Sequence, residues 1–139
     1  MENGIARKFR KGGLAAPDLG KQAEAEAESY LRERGWVIFA RNWRARGGEL
    51  DLVAREGDSL VFVEVRRRVA GAWVGAAESV GAHKMRCLLS VSQAYLRRER
   101  VNIGFGQWGK EIRFDLLLWE GKNRLVHLRS GFNRDTPYR

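Results

Sequence analysis

Only one of the 139 residues is cysteine and only two are histidine. A lone Cys87 excludes an internal disulfide, and no Cys or His spacing matches a zinc-ligand set. Cys87 therefore reads as a buried structural thiol in a reducing compartment. His127 reads as structural; so does His83, although its place beside Lys84 would also suit a phosphate contact. No run approaches the roughly 20 apolar residues that a membrane-crossing helix needs, and no apolar targeting segment follows the basic start. The expectation is a soluble cytoplasmic protein with no membrane partner. Internal repeats are also missing. Gly104, Gly106 and Gly109 lack the strand-to-helix setting and lysine spacing of a nucleotide-binding loop.

Positive charge, by contrast, is plentiful. Lys and Arg total 26 against 17 Asp and Glu, a formal net charge of +9 at pH 7. Basic groups gather at a phosphate backbone and release its counterions, so a nucleic acid is the foremost partner. Composition alone leaves DNA, RNA, an anionic membrane surface and plain solubility open. With 44% apolar and 31% charged residues, the chain has the make-up of one globular domain with its own core.

Three regions follow from the pattern: a basic flexible arm over 1–17, a folded domain over 18–130 and a polar tail over 131–139. Within the domain, Ala23, Ala27, Tyr30 and Leu31 share one side of a helix from about Asp18 to Arg34, with Gly35 placed as a left-handed cap. A short strand is expected at Trp36–Phe39 and a polar loop at Asn42–Gly48. Arg41, Arg44 and Arg46 surround Trp43 there and would set guanidinium groups on phosphates, with the indole against an unpaired base or serving as an anchor. A glycine-rich connection with Trp73, which reads as packing or as a wedge at opened nucleic acid, leads to a second helix over Ala82–Arg98. Strands near Ile112–Trp119 and Leu125–Leu128 follow, and Asp115 inside the first reads as a local hydrogen-bonding group. The apolar sides of both helices suit a core; a homodimer surface would carry the same pattern.

The most informative stretch is Leu50–Ala54 and Leu60–Val65, joined through Gly57-Asp58. A two-residue turn whose glycine can take positive φ makes a hairpin in which paired residue numbers sum to 115. Asp51 then faces Glu64, Val53 faces Phe62 and Glu49 faces Arg66, all six on one side of the sheet, while Leu52, Val61, Val63 and Val65 enter the core from the other. Opposed carboxylates are costly unless neutralised. Mg²⁺ or Mn²⁺ would do this and keep positions for water and a phosphate oxygen. The competing reading pairs one carboxylate with Arg66 or Arg68 at a solvated sheet edge.

Gly20, Glu24, Ala27, Tyr30-Leu31, Asn42, Gly48-Glu49-Leu50-Asp51-Leu52-Val53, Val61-Phe62-Val63-Glu64-Val65-Arg66-Arg67-Arg68, Lys84 and Arg113-Phe114-Asp115 occur in an order that resembles the YraN-like uncharacterised protein family 0102. That family is similar to archaeal Holliday-junction resolvases of the restriction-endonuclease-like superfamily, and the resemblance spans residues 18–130. It implies an α/β restriction-endonuclease-like fold, with a central mixed β-sheet of about five strands flanked by two main helices. It also implies a metal-dependent endonuclease acting on DNA phosphodiester bonds, branched or flapped DNA included, with a 5′-phosphate and a 3′-hydroxyl as products.

By the same resemblance Asp51 and Glu64 bind Mg²⁺ or Mn²⁺, the Val65 carbonyl adds an oxygen, and Glu24 approaches the metal or orients its water. The family signature ends in lysine where this chain has Arg66. A guanidinium stays charged, so Arg66 can stabilise a phosphate but is a poor proton acceptor. Lys84 is the neighbouring candidate to compensate, or else a solvated helix charge. Arg68 shares the side of Arg66, and Arg67 points away. A catalytically weak or inactive nucleic-acid-binding protein on the same fold is the alternative expectation.

Overall fold

The computed structural model describes residues 16–68, 81–99, 111–121 and 123–130. The expected basic arm ahead of residue 16, most of the connection that carries Trp73, the Gly104–Gly109 loop and the tail from 131 lie outside the described residues. Helix α1 (Ala16–Glu33) leads into strands β1 (Val37–Ala45), β2 (Gly48–Glu56) and β3 (Ser59–Arg68); helix α2 (Ala82–Glu99) precedes β4 (Glu111–Glu120) and β5 (Arg124–Leu128). The strands form one sheet in the order β1-β2-β3-β4-β5, antiparallel except for the parallel pair β3–β4.

Helix α1 forms because Ala23, Ala27 and Leu31 recur at a four-residue spacing, and all three are buried. It ends where expected. Gly35 takes φ +88°, its amide donates to the Arg32 carbonyl, and the Trp36 amide donates to the Leu31 carbonyl. This double closure satisfies carbonyls that the helix leaves open. Leu31 and Trp36 then pack together in one core cluster with Leu52, Val61 and Val63. Fully burying a leucine such as Leu31 contributes roughly 2 kcal/mol.

The residues of β3 sort by parity. Val61 and Val63 pack with α1, whereas Leu60 and Phe62 join Met85, Leu88, Val91 and Tyr95 of α2. The helices therefore cover opposite faces, giving the α/β restriction-endonuclease-like arrangement: a mixed five-stranded sheet between two helices.

Both hairpins beside the site turn on glycine. Gly57, at φ +57°, opens the expected two-residue turn, and the register Val53 to Phe62, Ala54 to Val61 and Glu56 to Ser59 sums to 115 throughout. The second hairpin departs from expectation. Residues 42–45 are strand, not loop: β1 runs to Ala45 and pairs back with Gly48 across Arg46-Gly47, with Gly47 at φ +101°. Gly48 makes room in another way. A Cβ there would stand 3.2 Å from Val91 Cγ2, so α2 lies directly on this end of β2.

Candidate two-carboxylate centre

The centre arises where the sheet loses regularity. Asn42 adopts φ +47°, a conformation that asparagine tolerates better than most residues. The β1–β2 register runs from Arg41–Leu52 to Trp43–Leu50 on either side of it. Strict alternation would put Leu50 with Leu52. Instead Leu50 joins the α2-side core with Val53, and Leu52 joins the α1-side core. Asp51 lies in this break and, with Leu52, lines a cavity of about 330 Å³ shared with Lys21, Glu24, Glu28, Arg41 and Asn42. The expected common face for Val53, Phe62, Asp51 and Glu64 is thus corrected. Asp51 opens toward α1, while Glu64 is reached from α2.

The β2–β3 ladder stops at Leu52–Val63, one step short of Asp51 and Glu64. There Asp51 Oδ2 accepts a hydrogen bond from the Val65 amide at 2.8 Å, a side chain standing in for a backbone rung. Glu64 is only 4% exposed. Both Arg66 Nε (3.0 Å) and Lys84 Nζ (3.5 Å) approach its Oε2, whereas its buried Oε1 has no hydrogen-bond partner. One carboxylate does pair with Arg66, as the competing reading held, but at a buried position and not at a solvated edge.

Charge couples the members of the site. Burial is the largest cause that lifts the Asp51 carboxyl far above the usual range, to about 8; the Glu64 charge adds to it, the Val65 amide opposes it, Glu24 adds a little and Lys84 subtracts a little. Glu24 is held by Asn42, whose Nδ2 donates to Glu24 Oε1 at 3.0 Å. Among the described residues, no three His, Cys, Asp or Glu side chains converge closely enough to hold a metal ion between them. Two carboxylates with one buried, partnerless oxygen still suit a hard divalent ion that keeps much of its water.

The arginines expected on phosphate have different surroundings. Arg41 is clasped by Glu28 through two contacts of 2.6 Å, which hold the Glu28 carboxyl below its usual range. Arg68 bonds to Glu120 on β4. Arg44 lies 3.5 Å from Glu49 and is 77% exposed, and Arg46 is exposed in the hairpin turn. Trp43 packs edge-on to Tyr95 with Arg98 over its ring, the anchor reading of the two given to it. Arg67 does point away, toward the Trp119 ring, the Gly121 carbonyl and Glu26.

A second charged cluster escaped sequence reasoning. Asp115, fully buried, accepts from Arg113 Nε (2.9 Å), from the Ser130 amide (3.0 Å) and from His127 Nε2 (2.8 Å). The His127 ring is completed at Nδ1 by the Tyr30 hydroxyl at 3.3 Å. Arg113 and Arg129 both grip Glu56. The polar residues inside the apolar β4 and β5 runs were its only signal. Their convergence depends on pairings among β3, β4 and β5 that no local window contains. A wide groove of about 600 Å³ beside Tyr30 and Trp119 contains none of the expected site residues. No described helix is long and apolar enough to cross a membrane.

The residues that build the centre fall inside one family match. The model of Uncharacterised protein family UPF0102 matches residues 23–118. A UPF0102 protein of Anaeromyxobacter dehalogenans (strain 2CP-C) is 40% identical over 120 residues, covering 84% of this chain and 85% of that protein. One from Pseudomonas aeruginosa (strain LESB58) is 43% identical over 101 residues, covering 72% and 76%. A third, from Hahella chejuensis (strain KCTC 2396), is 38% identical over 101 residues, covering 73% and 77%. The matched segment takes in Glu24, the Asn42 break, Asp51, Glu64 and Lys84, and on that span the chain belongs to the uncharacterised protein family UPF0102.

Proposed function

We propose that this protein binds nucleic acid, DNA in the first instance, on a nuclease fold whose phosphodiesterase chemistry is weak or absent. The observation that carries the reading is the Arg66–Glu64 pair at 3.0 Å. Where the resemblance leads one to expect a lysine, this chain has a guanidinium. A guanidinium is a poor proton acceptor, and this one is engaged by the carboxylate itself. The positive balance of the whole chain supports the binding half of the reading.

A second reading, a Mg²⁺- or Mn²⁺-dependent endonuclease acting on branched or flapped DNA, is favoured by the partnerless Glu64 Oε1 beside an Asp51 carboxyl pushed up to about 8. Asp51, Glu64 and the Val65 carbonyl would hold the ion. Bound there, it would supply Lewis-acid stabilisation to a phosphate and lower the pKa of a water. Of the chain's own groups, Arg66 and Lys84 would offset phosphate charge, while Glu24, fixed by Asn42, would orient water from the α1 side.

The test is incubation with branched, single-stranded and duplex DNA, in Mg²⁺, in Mn²⁺ and in chelator, beside Asp51→Asn and Glu64→Gln. Salt-sensitive binding without metal-dependent cleavage supports the first reading. Cleavage that requires metal and disappears in both variants replaces it with the second, and absence of binding to every substrate sinks both.

A further inference from the structure

The two helices carry opposite charge on opposite faces of the sheet. Helix α1 presents Glu24, Glu26, Glu28 and Glu33 against Lys21 and Arg32. Helix α2 has Lys84, Arg86, Arg97 and Arg98 against the single acid Glu99, and no acid in its first turn. Lys84 stands in the first turn, where the macrodipole favours carboxylates, and its charge is answered by Glu64 on β3 at 3.5 Å.

The spacing is equally specific. His83, Arg86, Ser90, Gln93 and Arg97 are all exposed and follow one another by three or four residues, which puts them on a single stripe. The opposite side of the helix, Met85, Leu88, Val91, Ser92 and Tyr95, is buried. Neither Arg86 nor Arg97 forms an ion pair with a described residue. At ~1.5 Å per residue the stripe is about 21 Å long, roughly the length of six base-pair steps. Its first turn touches the centre through Lys84, 3.5 Å from Glu64. The β1–β2 turn approaches it near the middle: a Cβ at Gly47 would lie 3.8 Å from Ser90 Oγ, and the residue before it is the exposed Arg46.

From this arrangement we propose that the exposed stripe of α2, with the β1–β2 turn, is the docking surface for the phosphodiester backbone of a DNA duplex, and that it leads the backbone to the Glu64 end of the helix. The α1 face, rich in carboxylates, is turned away from the polyanion. The assignment rests on the nucleic-acid reading above and specifies which face makes the contact.

The experiment is a salt titration of binding, by fluorescence anisotropy, to a 20-base-pair DNA duplex, an RNA duplex of the same sequence and the single DNA strand. Wild type is compared with Arg86→Gln/Arg97→Gln and with Arg32→Gln/Arg124→Gln, a control pair that removes the same charge elsewhere. Thermal melts check that all three proteins fold.

The α2 pair should bind duplex about tenfold or more weakly than the control, and the slope of log K against log salt should fall by about 2. Tighter binding to the DNA duplex than to the RNA duplex supports the assignment, and the reverse order would overturn it. Equal losses in both variant pairs would mean that only net charge matters and would overturn the surface. A loss confined to the single strand would overturn the duplex assignment. Wild type that binds no probe at low salt would overturn the nucleic-acid reading, and this surface with it.

Discussion

Arg66 and Glu64, two residues apart on β3, hold each other at 3.0 Å inside the centre, so the cation nearest the buried carboxylate belongs to the protein itself. Arg66→Lys shortens that cation and makes it able to lose a proton in a suitable site. Single-turnover assays with labelled branched DNA in Mn²⁺ are expected to show a rate gain of about tenfold or more, with DNA affinity unchanged. An unchanged rate would mean that Arg66 is not what restrains cleavage.

Asp51 makes stability depend on pH in an unusual direction. Its folded carboxyl titrates near 8 against an ordinary 3.8, so between those values the native state keeps a proton that the unfolded chain has lost. Stability therefore falls as pH rises from about 4 to about 8. Asp51→Asn removes that slope and should be the more stable protein at pH 8.5, with the difference shrinking as pH falls. Urea melts at pH 5 and 8.5 measure this. Added Mn²⁺ should stabilise wild type at pH 8.5 and leave the variant unmoved.

The clasp around Glu56 has the opposite sign. Hydrogen bonds from Arg129 are the largest cause holding this carboxyl down at about 2; partial burial opposes them, and Arg113 adds to the lowering. The stabilisation is complete above the unfolded value near 4.5 and is lost as pH drops toward 2. Glu56→Gln should cost about 1–2 kcal/mol at pH 6, allowing for the exposure of Arg129, and almost nothing at pH 2. Parallel loss at both pH values would refute the clasp.

At Asn42 the left-handed backbone decides the outcome. Asn42→Val places a β-branched side chain at φ +47° and should cost roughly 1–2 kcal/mol. Asn42→Gly keeps the conformation while releasing Glu24, so fold and melting temperature should survive. If valine proves as stable as glycine, the break in β1 is not imposed by this residue.

Local signals made much of the frame legible. Ala23, Ala27 and Leu31 announced α1, Gly35 its end, and Gly57-Asp58 the hairpin register, because each acts over a few residues. The strand through Asn42–Ala45 was hidden because its alternation is broken at Asn42, leaving three arginines that look like a loop. That same break carried Asp51 to the α1 side, against the even alternation expected. Asp115, Arg113, His127 and Glu56 could not be joined in advance: Val63 must first lie beside Asp115, and Leu117 beside His127.

The parallel pairing of β3 with β4 has a consequence in time. Its partners are offset by 52 residues throughout, whereas β1–β2, β2–β3 and β4–β5 close through turns of a few residues. Short-range ladders form in microseconds, but the long closure must pay its loop entropy before any rung rewards it. The β3–β4 seam is therefore the non-local pairing expected to limit the rate of folding. Asp51 and Glu64 lie on strands joined by a local turn, whereas the Asp115 cluster, which reaches Glu56 on β2 through Arg113, needs that seam closed.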